Sequence, residues 1–509
     1  MNIKKLLMWS VPRAEKDIGE YSKRERNYFI TGMLGQNIIY GLVGSYLSVF
    51  YTDVIHVHTI ALIFITVITR VWDAINDILM GTIVDRTHSR WGKCRPYLKY
   101  APIAMGILTI LLFMPIANFP TALKIIYVVI SWLIWETLYT LCDIPLWGMT
   151  SLITPEEEKR AKLISAARIV GSFSAVVVLA FEPIVNVFAQ LEVGWFTHSG
   201  KPGFTGFYSA QQGYLFAIVI IVIVSTFLFK LVFPNVRERV TQAAEKKDTG
   251  FKENIKIMAA NKPFLRVLAS LVLGAAKGMV LSAGLYFCKW VLSDGGDFFI
   301  WLLILGGAFM GGTLISMSTC TAIAKKFGKK RVLIWSCYLT VIPYIAAFLF
   351  FFINGYAVVW PAAIFMAFAG FFTGFSNVYP TTMIADTIDY MEHKTGKRLD
   401  GVFFSGLNFS AKLSAAILMG INFLVLSIVN YTPKIENLSK MIESGQTINF
   451  TQDYPDITLA LLILITLIPA LSCMLQALPL HRYTLTENVL EKIIDDLNVR
   501  REEAKERDK

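Results

Sequence analysis

The stretch Arg70-Val-Trp-Asp73-Ala-Ile-Asn76-Asp77 sets two carboxylates four residues apart, with a carboxamide between them. At helical spacing Asp73, Asn76 and Asp77 share one face, within reach of one small ion. Two carboxylates and an amide oxygen are hard oxygen ligands, suited to Na+ or to proton exchange. The stretch lies in an apolar run, where a charge costs roughly 2.5–3.5 kcal/mol on insertion scales, so acids held there usually face a cavity and do work. The bland alternative is a structural ion pair with Arg168 or Lys412. Like charges this close normally need a titrating or bound partner, which favours the site.

A second stripe holds Glu136, Tyr139, Thr140, Asp143 and Trp147. Tyr139, Asp143 and Trp147 recur at i, i+4 and i+8 and line one helical face. A carboxylate between aromatic rings can hold a sugar, which offers hydroxyl groups and an apolar ring face. Core packing with Asp143 paired to a base stands beside that reading. Thr140 lies one turn from Asp143 and adds a hydroxyl ligand for an ion. Arg168, in Ser165-Ala-Ala-Arg168, and Lys412, in Asn408-Phe-Ser-Ala-Lys412, are cations that answer these acids. Lys277 is a further charge in an apolar run to which no role is assigned.

These residues need helices to hold them. The chain has 509 residues and is 55% hydrophobic but only 17% charged, against roughly 25% charged in soluble domains. Its mean hydropathy is +0.54. Apolar runs of bilayer length recur, and twelve spans are expected, near 28–52, 60–84, 97–117, 122–152, 162–186, 212–234, 263–292, 298–322, 331–354, 357–386, 402–430 and 456–480. Lysines and arginines concentrate in alternate loops, Arg86–Lys99 and Lys325–Arg331 foremost, which places both termini in the cytoplasm. The net charge of +11 is thus a topology signal rather than a nucleic-acid patch. The basic loop after span 2 recurs after span 8, as a parallel repeat of two halves would produce. The expected organisation is a cytoplasmic tail at 1–27, a six-helix bundle at 28–234, a cytoplasmic linker at 235–262, a second six-helix bundle at 263–480 and a cytoplasmic tail at 481–509. Within that tail, Thr484-Leu-Thr-Glu487 reads as a helix cap, and Val489, Leu490, Ile493, Ile494 and Leu497 as an amphipathic face.

Asp85 and Arg86 after span 2, and Asp386, Asp389 and Arg398 after span 10, bring opposite charges to cytoplasmic helix ends. They suit a gate of weak ion pairs, each roughly 0–1 kcal/mol, beside the alternative of a solvated face. The chain has no G-x-x-x-x-G-K-[ST] loop, so ATP does not drive it directly. No Ser/His/Asp or Cys/His arrangement points to an enzyme, and no cofactor is expected. The six cysteines and six histidines show no zinc spacing.

Tyr51-Thr-Asp53, Trp72-Asp-Ala-Ile-Asn-Asp77, Ser89-Arg-Trp-Gly-Lys93, Asp143-Ile-Pro-Leu-Trp147 and Ala385-Asp-Thr-Ile-Asp389-Tyr390 together resemble the glycoside–pentoside–hexuronide:cation symporters, the melibiose permease family of the major facilitator superfamily. The resemblance runs over roughly 28–480. It implies an all-α membrane protein of twelve helices in two six-helix bundles, carrying a sugar or glycoside with Na+ or H+ by alternating access. The family's cation pattern falls on Asp73, Asn76, Asp77 and Thr140. Its sugar pattern falls on Tyr139, Asp143, Trp147 and Arg168, with Lys412 between the two sites. The chain departs from the melibiose type in the first span, where Gln36-Asn37 replaces a lysine–aspartate pair, and in the tenth, where Asn377 replaces a tryptophan. Glu136 replaces a small residue and adds a possible proton site. Asn37, Asn377 and Asn408 complete the expected solute set. A monomer in the inner membrane fits this reading. A proton-coupled exporter or a lipid-like solute carrier on the same frame is the alternative, and the lack of any large signalling domain outside the membrane argues against a non-transporting sensor.

Overall fold

The computed structural model describes residues 21–87, 89–154, 157–189, 207–239, 258–294, 298–356, 358–396, 400–443, 446 and 448–507. Regular structure among them is helical throughout. The first span is Lys23–Val49, prolonged by a π-turn at Phe50–Val54. It starts ahead of the expected limit because the Ser22 hydroxyl caps it by accepting Glu25 N at 3.1 Å, a bond that satisfies an orphan helix donor. Spans two to four are Thr59–Asp85, Arg95–Leu112 and Thr121–Ile153. The fifth is broken into Glu157–Ser172, Ser174–Leu179 and Phe181–Ala189, and the sixth is Phe207–Lys230 with a short turn at Val232–Asn235.

The seventh span runs through Lys262–Leu273, a 3-10 turn at Ala275–Gly278, Met279–Tyr286 and a π-turn at Phe287–Val291. It bends by 42°. Spans eight to eleven are Phe299–Phe327, Lys329–Leu339 with Val341–Asn354, Trp360–Thr395 and Asp400–Ile428. The twelfth joins Pro455–Ile465 to Leu467–His481. Among the described residues, eight spans are long and apolar enough to cross a membrane, and nine with the bent seventh. The first, third and fifth fall short singly. Glycines and the Gln36-Asn37 pair dilute the first, Arg95 and Lys99 open the third, and the fifth is broken. Large apolar side chains such as Phe64, Ile353 and Ile428 stay exposed, as a lipid-facing surface requires.

By its contacts the chain forms two compact units, Met1–Lys246 with Asn430–Thr447, and Lys247–Val429 with Ile448–Lys509. Glycines sit at close helix crossings within each. A Cβ on Gly35 would stand 2.4 Å from the Ser225 carbonyl, joining spans one and six. In the second unit a Cβ on Gly312 would stand 2.0 Å from Ala367 O, and one on Gly370 2.0 Å from Phe309 O. Spans eight and ten therefore meet backbone to backbone, which only small residues allow.

The two units also share a capping device. In the first, Gly92 at φ +108° precedes the third span, and the Glu238 carboxylate accepts Lys93 N, Cys94 N and Arg95 N at 2.8, 2.8 and 3.0 Å. In the second, Gly328 at φ +84° precedes the ninth span, and Glu487 accepts Lys329 N. Each carboxylate follows the last span of its unit and sits at a helix N-terminus, where negative charge is stabilised. Glu487 thus does not close the expected cap with Thr484; the terminal helix begins at Glu487 itself and runs to Arg507. Ile493 and Leu497 of that helix pack with Tyr379, Met383 and Ile388, while Val489 and Ile494 remain exposed.

Candidate functional site

Span two holds its polar residues inward. Asp73 is 3% exposed and Asn76 fully buried. Neither amide atom of Asn76 has a hydrogen-bond partner among the described residues, although a buried polar group ordinarily finds one. Trp72 Nε1 donates to Thr137 Oγ1 at 2.8 Å and ties span two to span four. Thr140 Oγ1 donates to Asp77 Oδ1 at 3.4 Å. Asp73, Asn76, Asp77 and Thr140, the expected ion ligands, thus lie on two adjoining helices. Their oxygens, with an unsatisfied amide among them, suit a hard monovalent cation.

Arg70 closes one side of this group. Its Nη1 stands 3.7 Å from Asp73 Oδ2 and 3.9 Å from Glu136 Oε1. Glu136 also accepts Trp132 Nε1 at 3.2 Å. Trp135 Nε1 donates to Thr109 Oγ1 at 2.8 Å, which fixes the neighbouring turn of span four.

One turn along span four, Tyr139 and Asp143 form a second cluster. Gln36 Nε2 donates to the Tyr139 hydroxyl and to Asp143 Oδ1, both at 2.9 Å, and the Tyr139 hydroxyl lies 3.4 Å from the same oxygen. Tyr139 is sandwiched, its ring centroid 5.0 Å from Tyr40 and 5.3 Å from Trp135, with interplanar angles of 26° and 14°. The charged groups acting on the Tyr40 hydroxyl are Arg70, Glu136, Asp143 and Asp73, so the two clusters share one electrostatic neighbourhood. Pro145, between Asp143 and Trp147, lies inside the helix and removes one N–H from its ladder.

Asn37 does not join this cluster. Its Nδ2 donates to Met33 O at 2.7 Å, and a Cβ on Gly171 would stand 3.2 Å from it, so Asn37 packs under span five. Gln36 holds the place expected for Asn37. Trp147 is half-buried two turns beyond Tyr139. Arg168 lies on Glu157–Ser172, with its side chain outside the described residues. Asn377, Asn408 and Lys412 belong to the second unit, where the asparagines are exposed and Lys412 is half-buried. Lys277 donates to Ser376 O at 3.2 Å, from span seven to span ten. Of the expected gate, Asp386 forms an ion pair with Lys329, a partner not foreseen. Asp389 is half-buried and Arg86 exposed, while the Asp85 side chain and Arg398 lie outside the described residues. Gln36, Tyr40, Arg70, Trp132 and Trp135 were not singled out by spacing. A glutamine one turn before a tyrosine in an apolar span was the available signal.

Helices of membrane length, two units built alike and carboxylates inside the first define a multi-pass membrane transporter. The family described as MFS/sugar transport protein matches residues 28–487, and the chain belongs to it; it is a transporter, not an enzyme. The isoprimeverose transporter of Lactiplantibacillus pentosus is 24% identical over 427 residues, covering 81% of this chain and 80% of the relative. The glucuronide carrier protein homolog of Escherichia coli K12 is 24% identical over 474 residues, covering 92% and 94%. Among solved structures, a bacterial homologue of the human lysosomal transporter Spinster aligns with a TM-score of 0.64 at 13% identity, over 93% of this chain and 99% of that one. The fold is therefore the major facilitator fold.

Proposed function

We propose that the chain carries a sugar or glycoside together with Na+ or H+ by alternating access, as a monomer of the inner membrane with both termini cytoplasmic. The observation that carries the coupling is Asn76, a buried amide without a hydrogen-bond partner among the described residues, set between Asp73 and Asp77 and one helix from Thr140. Neutral oxygens beside two carboxylates favour Na+, because a proton needs neither. The Gln36–Tyr139–Asp143 cluster supports the solute side, with an aromatic stack for a sugar ring and a carboxylate for its hydroxyls. Relatives named for an isoprimeverose transporter and a glucuronide carrier support the substrate class. By linkage, cation and solute raise one another's affinity by the same factor.

The experiment is uptake into proteoliposomes across a panel of glycosides, pentosides and hexuronides, each with and without an imposed Na+ or H+ gradient. The wild type is expected to concentrate at least one of them only with the gradient. Asp73→Asn is expected to lose concentrative uptake and keep downhill exchange. Concentrative uptake retained by Asp73→Asn refutes the ion site, and efflux without uptake reverses the assigned direction.

A further inference from the structure

We propose that Glu136 is a positioning residue of the ion site: it offers Arg70 a second carboxylate, so that the guanidinium leaves Asp73 when Na+ arrives. The proposal rests on the cation-coupled reading and names the residue that sets its affinity. Arg70 Nη1 is divided almost equally between Asp73 Oδ2, at 3.7 Å, and Glu136 Oε1, at 3.9 Å. Both distances exceed a hydrogen bond. Charge therefore holds the guanidinium in both directions, and neither contact is a close bidentate grip of the kind that would lock it in place.

Glu136 is itself fixed. It is 6% exposed, and Trp132 Nε1, one turn earlier on the same helix, donates to its Oε1. Thr140 lies one turn later, so span four carries both a hydroxyl of the ion site and the acceptor that draws Arg70 off. A sodium ion and a guanidinium at one carboxylate repel each other strongly where water is scarce. With Glu136 present, Arg70 shifts from one acid to the next and keeps a partner throughout. Without it, Arg70 loses one of the two carboxylates that share it and draws closer to Asp73, so the affinity for Na+ falls.

The test uses the purified full-length protein with Na+ alone as probe, titrated against choline at constant ionic strength. Binding is read by thermal shift and by radiolabelled sodium. Glu136→Gln is expected to raise the half-saturating Na+ concentration by about tenfold or more, the scale of one lost charge pair in a poorly screened site. Glu136→Asp keeps the charge and is expected to stay within about threefold on the same grounds. Glu136→Ala serves if Glu136→Gln does not fold. The decisive arm is a double-mutant cycle: in an Arg70→Gln background, Glu136→Gln is expected to add less than about a twofold change, because the two act as one pair. A full penalty persisting in that background makes Glu136 an ion ligand and overturns the proposal. So does unchanged half-saturation in Glu136→Gln with a sodium-responsive wild type. A wild type indifferent to Na+ removes the sodium reading itself, and the proposal with it.

Discussion

Gln36 donates two bonds of 2.9 Å from one nitrogen, to the Tyr139 hydroxyl and to Asp143. This orients the carboxylate before any solute arrives, and preorganisation of that kind lowers the cost of binding. Gln36→Leu keeps the bulk and removes both donors. Because a bond to a charged group is worth roughly 1.5–3 kcal/mol, solute affinity is expected to fall by about tenfold or more. The half-saturating Na+ concentration should change little. Equilibrium binding of the glycoside found by the uptake panel checks this, and an unaltered solute affinity disproves it. That Asp73, Asn76 and Asp77 share one face was legible in the sequence because i, i+3 and i+4 spacing fixes a helical face whatever the neighbours do. The choice between Gln36 and Asn37 was not. Adjacent helical residues point about 100° apart, and only packing against Gly171 and Tyr139 decides which one turns toward Asp143.

Helix Tyr431–Glu443 lies between spans eleven and twelve in sequence, yet it packs within the first unit. Its Tyr431 hydroxyl donates to Asp53 Oδ1 at 3.0 Å, and Thr432 Oγ1 reaches Val57 O at 3.4 Å. The segment it covers is strained, for His56 has φ +54°, a region non-glycine residues rarely occupy. The His56 Nδ1 lies 3.2 Å from Thr52 O, which can only accept, so the ring donates there. Burial pushes the imidazole below its ordinary pKa of 6.5; Asp53, the Thr52 carbonyl and Glu436 oppose the shift, and Lys124 adds to it. A depressed histidine leaves the unfolded state binding more protons, so its contribution is intact above 6.5 and is lost as pH falls below that value. Between about pH 7.5 and about pH 5.5 the wild-type Tm is therefore expected to fall further than that of His56→Asn, which tolerates the same φ. Parallel pH profiles of Tm for the two proteins refute the assignment. None of this was legible in the sequence, where 431–455 falls between the expected spans 402–430 and 456–480, because a short amphipathic helix does not announce the surface it will cover.

The likeness of the two units shows most clearly where the sequence carried least. The basic stretches after spans two and eight were visible in the loops, but Glu238 and Glu487 stand far from them along the chain. Folding brings each to the N-terminus of the third or the ninth span of its own unit. Each also lies against a glycine with positive φ. A Cβ on Gly92 would come 2.3 Å from Glu238 Oε2, and one on Gly328 2.6 Å from Glu487 Oε2. The two halves thus tie the close of a bundle to its middle by the same chemistry, and the loops in between are held at one end by a carboxylate. Glu238→Gln and Glu487→Gln keep the shape and remove the charge. Each is expected to destabilise its own unit by roughly 1.5–3 kcal/mol, the value of charge-assisted bonds. Backbone hydrogen exchange reads the effect locally. Glu238→Gln should accelerate exchange at Lys93, Cys94 and Arg95 and leave Lys329 unchanged, and Glu487→Gln should do the reverse. Acceleration of both sites by either variant would make the two caps one cooperative element, against two units that each close on their own carboxylate.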